Sequence, residues 1–208
     1  MERKVWLLTG VFFFVLGVIR SVVYSDPHFY SYLSIGLVIL SFLAYIYYTG
    51  SNPFESWSYK EFISYSLLLL LFAFITDYLG VNVFGFWEYP FYDSLLNWSV
   101  QKTLEFALPL VYIQLFFMLG CRFFEKRGVN EYMAIVLSLL TFSIATGVLT
   151  EFVNSYADSW RILSMPISNA EIAGFSVVFT TIGYWIMALV PYAFYLVIEL
   201  NRYEKLIE

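Results

Sequence analysis

The chain has one cysteine, Cys121, and one histidine, His28. A lone cysteine can form no intramolecular disulfide and supplies no thiolate cluster for a metal. A lone histidine argues against a His-rich metal centre and a His-centred catalytic triad. Charge is scarce as well: 13% of residues are charged, against about 25% in an average soluble domain. The balance is acidic, with 16 Asp and Glu against 11 Lys and Arg and a net charge of −5, so the basic footprint of a nucleic-acid binder is missing. There is no P-loop, GxSxG, HExxH or dinucleotide fingerprint, and no cofactor or metal is expected. Gly174 and Gly183 are not spaced as GxxxG, and no repeating arginine pattern marks a voltage sensor.

What is abundant is apolar and aromatic. Apolar residues make up 61% of the chain and aromatic ones 22%, with a mean hydropathy of +0.73. A single water-soluble core of this size could not hide so much apolar surface, so lipid is the expected solvent. A membrane-spanning helix needs roughly 20 predominantly apolar residues. Six segments qualify: Val5–Val23, Tyr30–Tyr48, Phe62–Tyr78, Val100–Cys121, Tyr132–Val153 and Ile172–Ile198. The expected fold is therefore all-α, one polytopic membrane domain spanning residues 1–208. "MERKVWLLTGVFFFVLGV" has a basic start but no A-x-A-like cleavage site, and reads as a retained first helix.

Orientation follows from the loop cations. With the N-terminus inside, the inner side holds Arg3, Lys4, Lys60, Arg122, Lys126, Arg127, Arg202 and Lys205, while the outer side holds Arg20, Lys102 and Arg161. Both termini are expected in the cytoplasm, the membrane being the plasma membrane of a prokaryote. The two long connectors then face outward. One is "TDYLGVNVFGFWEYPFYDSLLNW", Thr76–Trp98; the other is "NSYADSWRILSMPISNAE", Asn154–Glu171. Their hairpins look alike. Trp87 follows Asp77 by ten residues and Trp160 follows Glu151 by nine. Pro90 and Pro166 come after the tryptophans, and each returning helix has an internal proline, Pro109 or Pro191. A duplicated helical hairpin, helices three–four and five–six, would produce this pattern.

An acid inside a membrane is costly, about 2.5–3.5 kcal/mol for aspartate at a helix centre, and is a functional candidate for that reason. Asp77 lies fifteen residues beyond Phe62, or roughly 22 Å along a helix, near the outer boundary. Glu105, early in helix four, and Glu151, late in helix five, fall at similar depth. These three are the candidate catalytic residues. Gln101 shares a helix face with Glu105. Asn154 extends the polar stripe of Ser143, Thr146 and Thr150, which faces other helices or a wet cavity. With Trp87, Tyr89, Tyr112 and Trp160, they form the candidate substrate-binding set. Arg20, Lys102 and Arg161 are candidate charge partners, and pairing of Arg20 with Asp77 or Glu105 is the simplest structural use of the acids. The aromatics likewise have two readings: an interfacial belt, or rings turned inward onto an apolar or cationic ligand. His28 is expected in an exposed loop and Cys121 as a packing residue.

The acid at the end of helix three, the connector "FGFWEYP" (Phe84–Pro90) and the acid early in helix four carry a resemblance across Leu70 to about Gln114. That stretch resembles the lycopene cyclase domain of carotenoid-forming membrane proteins, with Asp77 matching the first acid and Glu105 falling near the family's paired acids. The chain reads "VQKTLEF" where the family has a proline followed by two acids. The resemblance implies a pocket for an isoprenoid-like lipid, and cofactor-free acid–base isomerisation or cyclisation if the protein is an enzyme. Two other classes remain open. A small ion-coupled carrier would place acids nearer the bilayer centre on broken helices. A non-catalytic assembly partner, working as a homo- or hetero-oligomer, would have no enclosed cavity.

Overall fold

The computed structural model describes residues 2–91, 103–165, 167–172 and 174–207. Among these residues, six helices are long and apolar enough to cross a membrane. α1 spans Glu2–Val22 and α2 Phe29–Thr49. α3 spans Tyr59–Tyr78 and runs on through a π turn at Leu79–Val83. α4 spans Thr103–Glu125. α5 covers Glu131–Ala157, with a π turn at Leu139–Ser143. α6 spans Tyr184–Ile207 and is entered through a third π turn, Phe179–Gly183.

The helix ends are chemically marked. Ser58 accepts from the Glu61 amide while the Glu61 carboxylate accepts from the Ser58 amide, a capping box that satisfies two N-terminal donors of α3. Asn130 caps α5 by accepting from the Met133 amide at 3.0 Å. α2 stops where Gly50 takes a left-handed conformation, φ 81°, and returns its N–H to the Ile46 carbonyl.

α4 is the centre of the bundle and packs against α2, α3, α5 and α6. Its Leu110, Tyr112, Ile113 and Phe117 form the core with Phe29, Leu33 and Leu37 of α2, all nearly inaccessible. α1 is the outermost helix and rests on α2 and α5. Two glycines set its approach to α2. A Cβ on Gly17 would overlap the Leu33 backbone, and one on Gly36 the Phe14 backbone. Small residues of this kind let helix backbones meet directly. At the end of the bundle bearing the chain termini, the Trp57 indole donates to Glu199, Tyr65 donates to Gln114 and Arg202 contacts Ser56. These bonds fasten the α2–α3 loop and α3 to α4 and α6.

At the other end, the connectors join into a roof. β1 (Trp87–Glu88) from the first long connector pairs antiparallel with β2 (Arg161–Ile162) from the second, with Trp87 opposite Ile162 and Glu88 opposite Arg161. The Phe86 carbonyl accepts from the amides of Leu163 at 2.8 Å and Ser164 at 3.3 Å. The α1–α2 loop joins them: the Ser159 hydroxyl donates to the Pro27 carbonyl at 2.6 Å.

Two expected boundaries need correction. Helix three does not stop at Tyr78; the π turn carries it to Val83, so Asp77 sits well inside a continuous helix. The last span does not begin at Ile172. β3 (Glu171–Ile172) and β4 (Phe175–Ser176) form a small hairpin there, turned by Gly174 at φ 82°. The apolar run from Ile172 resembles a helix in composition, but a glycine in the left-handed region breaks it and the helical path starts at Val177.

Arg20 does not pair with Asp77 or Glu105 as the simplest structural use would have it. Its guanidinium meets Asp26 at 2.5 Å in the loop after α1. Burial alone would raise the Asp26 carboxyl. The His28 amide and Arg20 together outweigh it and hold Asp26 below its ordinary value. A depressed carboxylate contributes stability above the ordinary value, about 3.9, and loses it as pH falls through the folded-state value. Asp26→Asn is therefore expected to cost up to about 1 kcal/mol at neutral pH, since Arg20 is partly exposed. The difference from wild type should close on acidification, as followed by denaturant unfolding across pH.

Candidate functional site

Beneath the roof lies a cavity of about 430 Å³, within the size range of about 300–1,000 Å³ usual for small-molecule sites. It draws on six parts of the chain. α2 contributes Tyr30, α3 and its π turn contribute Thr76, Asp77 and Gly80, and β1 and its neighbours contribute Phe86, Trp87 and Tyr89. Glu105 and Phe106 come from the first turns of α4, while Trp160 and Met165 come down from the second connector. Phe179, Gly183, Tyr184 and Met187 close the far wall at the start of α6. Among the described residues, two of the three π turns thus line the cavity. A π turn shifts the register of the side chains beyond it, and such turns recur at functional sites.

The three acids are all buried, with Asp77 1%, Glu105 5% and Glu151 8% exposed. Asp77 Oδ1 accepts from the Tyr89 hydroxyl at 2.5 Å and from the Trp87 indole at 3.2 Å. Burial, and then the adjacent Asp77 carboxylate, push the Tyr89 phenol well above its usual value, so Tyr89 keeps its proton as a donor to Asp77. Gly80 makes the arrangement fit, because a Cβ there would run into the six-membered ring of Trp87. Glu105 Oε1 accepts from the Ser31 hydroxyl at 2.9 Å, with His28 Nδ1 4.0 Å away. Pro109 lacks the N–H that would bond the Glu105 carbonyl, and Pro191 likewise frees the carbonyl of Met187. Both prolines therefore loosen the helical bonding beside a cavity residue.

The structure brings Asp77, Glu105, Trp87, Tyr89 and Trp160 together on one cavity. Glu151 does not line it. It stands one layer back, and the Trp160 indole donates to both its carboxylate oxygens, at 3.1 and 3.3 Å. The acid–indole contact of Asp77 and Trp87 thus has a counterpart in the second hairpin. Tyr112 is also set back, in hydroxyl contact with Tyr30 at 3.4 Å and Thr150 at 3.2 Å. Asn154 is not a ligand group in this arrangement. Its Oδ1 accepts from the Ser159 and Trp160 amides and its Nδ2 donates to the Trp160 carbonyl, so both ends of its amide shape the loop. Arg161 reaches neither Asp77 nor Glu105 and pairs instead with Asp158 and Glu88 at the surface. Gln101 and Lys102 lie outside the described residues.

Sequence reasoning missed Tyr30, Ser31 and Tyr184. Each sits in an apolar helical run with no local signal of its role, and only the packing of α2 and α6 against α4 turns it toward the acids. The wall of the cavity near the α3 and α6 ends is apolar and exposed: Ile75, Leu79, Phe84 and Ile186 combine lining positions with open surface. Among the described residues, this exposed apolar lining gives the cavity a sideways face between α3 and α6.

Comparison with protein-family models, with curated proteins and with solved structures finds no match to this chain.

Proposed function

We propose that this chain is an integral membrane protein that holds the end of an isoprenoid-like lipid beneath its outer roof. Both termini lie in the cytoplasm, and the two roofed hairpins descend from a duplicated unit. The observation that carries the reading is the exposed apolar lining, between α3 and α6, of a cavity that also holds two buried acids, Asp77 and Glu105. A molecule dissolved in the bilayer would enter between α3 and α6 without crossing water. Its chain would remain against Phe72, Ile75 and Ile186, and its terminal group would meet Asp77 and Glu105. A carboxylate accepts hydrogen bonds, so the matching terminal group is a hydroxyl, or an alkene end accompanied by water.

A second, catalytic reading is favoured by the rings that flank Asp77. Trp87 and Phe179 lie 6.0 Å apart, centroid to centroid, on the cavity wall. Their faces would stabilise a carbocation formed when protonated Asp77 gives its proton to an alkene carbon. Loss of a proton from the adjacent carbon to the Glu105 carboxylate would leave an isomerised alkene and conserve charge. No cofactor is needed for this step.

The test is purification of the protein from an isoprenoid-producing host grown in ordinary water, incubation of the purified protein in deuterated water, and then solvent extraction and mass spectrometry. A neutral isoprenoid should accompany the wild-type protein and fall at least several-fold in Ile182→Trp, which fills the cavity. Deuterium on a chain carbon would support the catalytic reading. Equal lipid content in the two proteins would defeat the proposal.

A further inference from the structure

Glu151 is the buried acid that the cavity does not use. The Trp160 indole is its hydrogen-bond donor, and among the described residues no cation lies within 4 Å of it. From α1, Arg20 is engaged by Asp26. From α2, α4 and α6, the facing titratable groups are Tyr30, Tyr112 and Tyr184, each close enough to feel the Glu151 charge. Asp158 and Arg161 beyond the helix end bond one another.

Tyr30 and Tyr112 cannot supply much compensation, because their protons are already directed elsewhere. Thr150 donates its one hydroxyl proton to the Thr146 carbonyl at 2.8 Å, so toward Tyr112 it can only accept. Tyr112 must then donate to Thr150 and accept from Tyr30. The chain of hydroxyls therefore runs from Tyr30 to Tyr112 to Thr150, away from the cavity and past Glu151. The charged form of Glu151 depends on one neutral N–H and on the polarisability of its surroundings. Trp160 belongs to both places: its indole N–H faces Glu151, and its ring forms part of the cavity wall, against Tyr30 at 4.8 Å.

We propose that Glu151 is a proton-exchange site coupled to the cavity through Trp160, taking up a proton when an apolar molecule fills the cavity. Filling replaces water by hydrocarbon on the far side of a single indole ring, and a carboxylate with no cation is disfavoured by that loss of polarisable surroundings. Coupling is reciprocal: a protonated Glu151 favours the filled cavity. A lipid-binding site so arranged would load more readily on the acidic side of a membrane. The inference rests on apolar molecules occupying the cavity, though not on which natural molecule does so.

The experiment uses a tethered occupant for that reason. Thr76→Cys is to be labelled with a hexyl methanethiosulfonate in detergent, with the unsubstituted protein as a control for the native, buried Cys121. Infrared spectra at neutral pH then report the carbonyl stretch of protonated carboxyl groups. Labelling should increase this band in Thr76→Cys and leave it unchanged when Glu151→Gln is added. Trp160→Phe, which keeps a ring but removes the N–H, should show the band before any labelling. If Thr76→Cys does not fold, Ile182→Cys offers a second tether on the same wall. An unchanged band, or an equal increase without Glu151, would overturn the coupling. Neither result bears on lipid co-purification, which decides the binding proposal separately.

Discussion

Asp77→Asn is expected to empty the cavity. Both hydrogen bonds that fix the roof on the α3 side end on one oxygen of this carboxylate, from Tyr89 and from Trp87. An asparagine keeps one acceptor oxygen but weakens both bonds by removing the charge. If the amide turns over, an N–H confronts two donors. Hydrogen bonds to a charged group contribute about 1.5–3 kcal/mol. Bound lipid should therefore fall by roughly ten- to a hundred-fold, with a stability loss of about 1–3 kcal/mol. Tyr89→Phe separates the two effects, because it removes one donor and leaves the carboxylate able to meet a ligand. It should lose stability comparably while retaining more lipid than Asp77→Asn. Lipid-to-protein ratios from mass spectrometry, set beside denaturant midpoints, provide the check. Full occupancy in Asp77→Asn would show that the acid has no part in binding.

The second large effect is expected far from the cavity. Gly36→Leu introduces a side chain where α2 meets the backbone of α1 at Phe14. Overpacking against side chains costs about 1–3 kcal/mol because rotamers can give way. Here the obstacle is main chain on a helix whose own hydrogen bonds hold it straight, so the cost should reach or exceed the top of that range. α1 would swing away or the bundle would unfold. Gly183→Ala is the control, since a Cβ there comes nearest to the side chain of Phe179, at 3.3 Å, which has to give by only a few tenths of an ångström. Denaturant midpoints for the two variants should differ by more than the range just given. A Gly36→Leu protein as stable as Gly183→Ala would mean that α1 and α2 do not meet as described.

The long apolar runs, broken by few charges, determine six helices. Depth along a helix is also a property of sequence, at about 1.5 Å per residue. That is why Asp77, Glu105 and Glu151 could be put at one level, and why Trp87 and Trp160, at matching offsets from their acids, could be placed above them. Rotation about each helix axis and the choice of neighbour are not encoded so locally. They depend on how α4 packs against four other helices at once. Tertiary structure alone decided that Asp77 and Glu105 face a common cavity while Glu151 turns one layer behind it. It assigned Arg20 to Asp26, used up Asn154 in shaping its own loop and brought Tyr30 and Tyr184 to the wall. A helix pattern is set within a few turns of chain, whereas a site assembled from six segments exists only once side chains distant in sequence compete for the same space.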